Sequence, residues 1–303
     1  MCIRDSDQLD LESHLVMGIL NTTPDSFSDG GRWEGVDRAV AHAERMLAEG
    51  ADIIDVGGES SRPGAKSVDA DEEIRRTVPV IEQLAGRCVI SIDTTKPDVA
   101  EAAVAAGAHI INDVSASLHE VAASTKAGWV AMHMQGVPAT MQDDPRYDDV
   151  VAQVADHLDA AAKRGEEAGV EHLWVDPGIG FGKLTSHNVQ LLRNLSKFAK
   201  VERRLLIGVS RKRIIAELHA MSDEGDEQIA ITDRREASVF AAVWAWLHGA
   251  HIVRVHDVRA SSLAAQHIRH MAAPLRYPPS VTPNETDLDG TEPETQRKMG
   301  ARH

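Results

Sequence analysis

Ten polar residues scattered through 303 positions share one setting. Asn21, Asp25, Ser61, Arg62, Asp93, Asn112, Asp176, Lys212, Arg254 and His256 each stand close to the end of a short apolar run. Together they supply acids, amides, a hydroxyl and cations. A carboxylate such as Asp93 or Asp176 can take the edge of a guanidine-like heterocycle in two parallel hydrogen bonds, as it would an arginine. Arg62, Arg254 and His256 form a cradle for a phosphate or diphosphate. Asn21 and Asp25 are hard oxygen ligands of the kind Mg2+ takes when it bridges a diphosphate. The chemistry these side chains could perform is therefore that of a flat heterocycle carrying a diphosphate. Each residue alone has a plainer reading. Asp93 or Asp176 could cap a helix, Asn112-Asp113 could be a turn, Lys212 and Arg211 a solvated pair, and His256 a satisfied structural histidine. Their convergence depends on the elements that carry them.

Those elements repeat. Apolar runs at Leu15–Leu20, Ala51–Val56, Cys88–Ile92, Ala108–Ile111, Trp129–Met132, His172–Val175, Leu205–Val209 and Ile252–Val255 read as eight strands. They are apolar at nearly every position, as strands of a parallel sheet covered on both faces must be. Helical spacing follows at Val36–Glu49, Asp69–Leu84, Pro97–Ala106, Leu118–Lys126, Asp148–Ala168, from about Asn188, at Arg235–Leu247 and at Ser262–Met271. Eight strand–helix units over this length predict an α/β fold, a (β/α)8 TIM barrel, whose strand ends open on a single face. No GxGxxG turn follows the first strand, which argues against an open dinucleotide-binding sheet. The expected organisation is a lead-in over residues 1–14, one barrel over 15–272 and a disordered polar tail over 273–303. Met1–Ser6 matches no fold element.

Composition limits the partners. Lys and Arg total 32 against 47 Asp and Glu, a formal charge of −15, which opposes binding to nucleic acid or an anionic membrane. No apolar run is long enough to span a bilayer and no signal peptide is evident, so a cytoplasmic protein is expected. Cys2 and Cys88 make neither a disulfide framework nor a metal site.

Seven motifs carry a family resemblance: N-T-T-P-D-S-F-S-D-G-G from Asn21, G-G-E-S-S-R-P-G from Gly57, S-I-D-T-T-K-P from Ser91, I-N-D-V from Ile111, D-P-G-I-G-F-G-K from Asp176, V-S-R-K from Val209 and R-V-H-D-V from Arg254. In this order, over Val16 to about Met271, they resemble the dihydropteroate synthase family. That resemblance implies a transferase of folate biosynthesis. It would join 6-hydroxymethyl-7,8-dihydropterin diphosphate to 4-aminobenzoate, releasing diphosphate, as a homodimer using Mg2+. It also implies roles. Asp93, Asn112, Met132, Asp176, Phe181 and Lys212 would hold the pterin. Asn21, Ser61, Arg62, Arg254 and His256 would bind the diphosphate, with Asn21 as the Mg2+ ligand. Phe27, Pro63 and Arg213 would line the 4-aminobenzoate site. Asp25, Asp93, Asp176 and Lys212 would be catalytic, and two mobile loops bearing Asp25, Phe27, Ser61, Arg62 and Pro63 would close over the reacting centre.

Some positions depart from the family pattern. Ser61 stands where Thr is usual, Arg213 where Ser often follows S-R-K, Ala116-Ser117 in place of a Gly-rich turn, and Ala216 in place of a Gly. A related corrinoid methyltransferase would need the pterin acids but not Arg62, Arg254-x-His256 or the long first loop. A non-catalytic pterin-binding paralogue and an interaction scaffold are the remaining alternatives.

Overall fold

In the computed structural model, residues 2–4, 7–8, 14–23, 32–60, 67–199, 203–222, 230 and 234–272 are described. The expected 273–303 tail, and Asp25, Phe27, Ser61, Arg62 and Pro63, lie outside them.

Eight parallel strands close into a barrel: β1 (Leu15–Asn21), β2 (Ile53–Gly57), β3 (Val89–Asp93), β4 (Ile110–Asp113), β5 (Gly128–Met132), β6 (Leu173–Asp176), β7 (Arg204–Ile207) and β8 (Ile252–Val255). Each pairs with its sequence neighbour, and β8 pairs with β1, Ile252 opposite Leu15. The closure is reinforced from outside the ladder: His14 O accepts from Arg269 Nη1 at 2.9 Å. Ahead of the barrel, where no element was expected, Cys2–Arg4 pairs antiparallel with Asp7–Gln8.

The helices are α1 (Arg32–Ala48), α2 (Ala70–Leu84), α3 (Pro97–Ala105), α4 (His119–Thr125), α5 (Val150–Ala168), α6 (Thr185–Arg193), α7 (Arg213–Ser222), α8 (Arg235–Leu247) and α9 (Val258–Ala272). Local chemistry explains their limits. Asp69 caps α2 by accepting from Glu72 N, and Asp149 caps α5 by accepting from Val151 N and Ala152 N. Pro97 opens α3, and Gly169 ends α5 at φ 91°. α1 and α9 each begin four residues before the expected Val36 and Ser262. α7 lies where only the charged stretch Ser210–Arg213 was read. Its Ile214 and Ile215 are buried, and Arg213 pairs with Glu217 one turn on.

Strand alternation divides the core into two. Outward residues such as Val16, Ile54, Ile90, Ile111 and Trp129 pack beneath the helices. Inward residues Leu15, Met17, Ile53, Val89, Val130 and Trp174 belong to a second cluster that fills the barrel. At roughly 25 cal/mol per Å2 of apolar surface, each such side chain contributes about 1.5–3 kcal/mol when fully buried. Above this plug the same inward positions turn polar, and there the site begins.

Candidate active site

The register places the polar residues in layers. Asn21, Gly57, Asp93 and Asn112 sit opposite one another across β1 to β4. Asp176 pairs with Met132 across β6 and β5. Asn21, Asp93, Asn112, Met132 and Asp176 are thus the last residues of their strands, or next to last, rather than loop residues beyond them. Arg254 lies within β8. Barrel geometry aims all of them inward at one mouth.

One centre of that mouth is an ion cluster. Asp55, fully buried, accepts from Arg254 Nε at 2.6 Å and from Asn112 Nδ2 at 3.2 Å through the same Oδ2. Arg254 Nη2 donates to Asp93 Oδ2 at 2.7 Å. Burial weighs against the Arg254 charge, but Asp55 and Asp93 more than offset it and hold the guanidinium above its usual range. Burial drives Asp93 up to about 7; Arg254 opposes this, and the negative fields of Asp55 and Glu73 add to it. Arg254 was expected in an anion cradle. The structure makes it first the counter-ion of two acids, with its remaining N–H groups left for a ligand.

A second centre lies across the mouth. Asp176 Oδ1 accepts from Gly178 N at 2.8 Å, so this aspartate shapes its own turn rather than capping a helix. Burial raises its pKa, countered by Lys212 and by the Gly178 bond. Lys212 turns inward, not out to solvent. Its Nζ donates to Ile179 O at 2.5 Å and stands 4.5 Å from the centre of the Phe181 ring. Burial lowers its pKa to about 8, against the pull of Asp176. Arg211 faces the other way, gripping both oxygens of Asp257 at 3.1 and 2.7 Å from a left-handed φ of 58°.

The glycines at 178, 180 and 182 were expected to let backbone or a flat ring approach. Gly178 and Gly182, at φ 65° and 59°, admit backbone: a Cβ on them would stand 1.9 Å from His133 O and 2.3 Å from Gln135 O. The turn after β6 therefore rests directly on the exit of β5.

His256 continues the inward alternation of β8, and Ser210 Oγ accepts from its backbone N at 3.2 Å and lies 3.1 Å from its Nδ1. Asn21 is exposed at the rim. Arg213 is exposed on α7 and engaged with Glu217 at 2.9 Å. Of the plainer readings, the turn survives in Asp113, which accepts from Ser115 N, Ser117 N, Leu118 N and Trp129 Nε1.

Three residues that matter here had no role in the sequence reading. Asp55 was hidden inside an apolar run, where a lone carboxylate in a strand buried on both faces is itself the signal. Ser210 and Lys183 sat inside recognised motifs. Lys183 is 1% exposed and held by four acceptors.

Known proteins share both the sequence and this architecture. Residues 17–256 match the family described as "Pterin binding enzyme". The dihydropteroate synthase of Escherichia coli (strain K12) is 47% identical over 259 residues, covering 83% of this chain and 89% of that protein. A structure of Xanthomonas albilineans dihydropteroate synthase with 4-aminobenzoic acid superposes with a TM-score of 0.79 at 44% identity, covering 88% of this chain and 96% of that one. The Yersinia pestis enzyme in complex with a sulfonamide drug gives 0.79 at 42% identity, covering 88% and 97%. A closed barrel with two acid–cation centres in its mouth, matched at this identity over most of its length, belongs to the pterin-binding dihydropteroate synthase family.

Proposed function

We infer that this barrel mouth joins a dihydropterin diphosphate to 4-aminobenzoate, forming 7,8-dihydropteroate and releasing diphosphate. The observation that carries the reading is the pair of centres facing each other, Asp176 with Lys212 and Asp93 with Arg254. The amine nitrogen of 4-aminobenzoate bonds to the pterin methylene while the C–O bond to diphosphate breaks. Positive charge develops on the pterin and negative charge leaves with the diphosphate. Asp176 and Asp93 suit the first, being fixed carboxylates in a mouth poor in water. Asn112, whose Nδ2 is committed to Asp55, has its carbonyl oxygen left to accept from a ring N–H. Lys212 would donate to the ring from above Phe181, with Met132 beside it. The arylamine is unprotonated at neutral pH and needs no strong base.

His256 suits the leaving side. In the tautomer in which Ser210 donates to Nδ1, the ring carries its proton on Nε2 and would donate it to a phosphate oxygen. Arg254 can add its remaining N–H groups. Asp25, Phe27, Ser61, Arg62 and Pro63 are proposed for the diphosphate and 4-aminobenzoate on the strength of their motifs, and Arg213 only as a contact at the rim.

Mg2+ is proposed from donor chemistry. Among the described residues no group of three or more His, Cys, Asp or Glu could hold a metal. Asn21 presents one exposed carboxamide, and Mg2+ commonly takes one or two protein oxygens with substrate phosphates and water for the rest. Bound with the diphosphate, the ion would stabilise its departing charge. A homodimer is also proposed. Phe240 and Leu247 expose 67% and 65% of their surface on α8, as an interface would require. A cytoplasmic location accords with the reaction, and no helix among the described residues is long and apolar enough to cross a membrane.

The test is formation of dihydropteroate from both substrates, with and without Mg2+. Turnover that needs the metal supports the whole reading. Pterin binding without product would assign a binding protein instead.

A further inference from the structure

Lys183 is among the largest fully buried side chains in the described residues, yet it carries an ammonium group. Its Nζ lies 2.9 Å from His133 Nδ1 and donates to Phe181 O at 2.9 Å, Gly178 O at 3.0 Å and His133 O at 3.3 Å. These acceptors belong to two segments, the exit of β5 and the turn after β6. The left-handed glycines of that turn aim its carbonyls inward, and a chain of carbonyls meeting at one point calls for a cation. An apolar side chain could fill the volume but would leave Phe181 O without its Lys183 donor and Gly178 O with Phe181 N alone, and burying an ammonium costs several kcal/mol unless its hydrogen bonds offset it.

The same turn holds the pterin-facing groups. Gly178 N fixes Asp176, Ile179 O receives Lys212, and Phe181 lies under Lys212. Other bonds steady it: Gln142 Nε2 to Gly180 O at 2.6 Å, Tyr147 OH to Gly182 O at 2.9 Å, and Gly180 N to Asn188 Oδ1 at 2.8 Å. Among the described residues, Lys183 is the charged side chain that ties it to the β5 exit. We propose that Lys183 is a positioning residue for pterin recognition, locking the turn that presents Asp176 and Phe181 and setting a cation against Gly178, the residue that holds Asp176. This rests on the reading of the mouth as a pterin site.

Titratable groups face Lys183 from each element around it: His133 at the β5 exit, Tyr147 in the following loop, His157 on α5, Asp176 on β6, His187 on α6 and Lys212 after β7. Burial holds His133 down to about 3, so the ring is neutral at working pH and its Nδ1, in the Nε2-protonated tautomer, can accept from the Lys183 ammonium. Burial lowers Lys183 to about 7, with Asp176 pulling it up and Lys212 pushing it down. The field is mutual, since Lys183 also lowers Asp176.

Calorimetric titration with the bare pterin, from about pH 5 to pH 9, separates positioning from packing. Wild type should lose affinity at low pH as Asp93, beside Arg254, and Asp176 take protons, and of these two steps the Asp176 step is the one that feels Lys183. In Lys183→Gln and Lys183→Met alike, this acid limb should move up by about half a unit or more. Lys183→Met should also weaken binding about tenfold at neutral pH, and Lys183→Gln, which still donates to the carbonyls, should lose less. An unmoved acid limb in the variants would leave Lys183 a packing residue and overturn the proposal. No pterin binding by wild type would remove the parent reading as well. Should neither variant fold, 13C NMR of lysine Cε in wild type still decides. An assigned Lys183 resonance, distinct from that of Lys212, titrating well below the usual range and moving upward when pterin fixes Asp176 as its anion supports the proposal; its absence overturns it.

Discussion

Asp176 is both fixed and available. Gly178 N holds Oδ1, which leaves Oδ2 for a ligand. In Asp176→Asn the carbonyl oxygen would keep the Gly178 bond, and the new NH2 would face the heterocycle's own N–H groups. A buried donor–donor mismatch costs about 1–3 kcal/mol, so pterin affinity should fall about tenfold or more by calorimetry while the fold survives. Arg254 and His256, grouped together from sequence as anion ligands, should now part company. His256→Ala should weaken diphosphate binding and spare the bare pterin, because it removes the imidazole on the leaving-group side while its backbone bond to Ser210 stays. Arg254→Ala strands Asp55 and Asp93, and breaking a buried pair in this way typically costs about 3–5 kcal/mol. A thermal melt should therefore show a much larger loss for Arg254→Ala than for His256→Ala.

At the scale of elements, period and punctuation made most of the barrel readable. Strands buried on both faces must be short and apolar, and Asp69, Asp149, Pro97 and Gly169 mark helix ends by their own chemistry. Asp55 escaped because apolar runs were read for burial, not for the parity that points Ile53, Asp55 and Gly57 into the barrel. α7 escaped because Arg211 and Lys212 just before it looked like a solvated pair, although Ile214, Ile215 and Leu218 carry helical spacing. The pairing of Arg254 with Asp55, 199 residues away, could not be read from local pattern at all. The turn after β4 held a clue: Ala116, noted from sequence as replacing part of a Gly-rich turn, has a φ of 52°. A left-handed non-glycine residue costs about 1–2 kcal/mol, and glycine's extra freedom when unfolded returns about 0.4–1. Ala116→Gly should stabilise the protein by up to about 1 kcal/mol in urea unfolding and leave turnover unchanged.

For the whole molecule, charge and shape work at different ranges. The chain carries a net charge of −15, whereas in the mouth Arg254 pairs with Asp55 and Asp93, and Lys212 lies in the field of Asp176. Screening over about 8 Å lets an anionic substrate enter such a local site despite the global sign. Closure of the barrel also has a consequence for connectivity. His14 and Arg269 touch, and Leu15 N donates to His251 O at 2.8 Å, so the first and last barrel residues are neighbours. The catalytic mouth has no stake in where the polypeptide is cut, provided the cut is made at the opposite pole. Ala85, Gly86 and Arg87 are exposed there, between α2 and β3. A circular permutant that joins the old ends through a flexible linker and begins at Arg87 should fold and make dihydropteroate at a rate close to that of the parent chain. Loss of turnover with an intact pterin site would show that the order in which strands emerge, and not the finished barrel alone, builds the reacting centre.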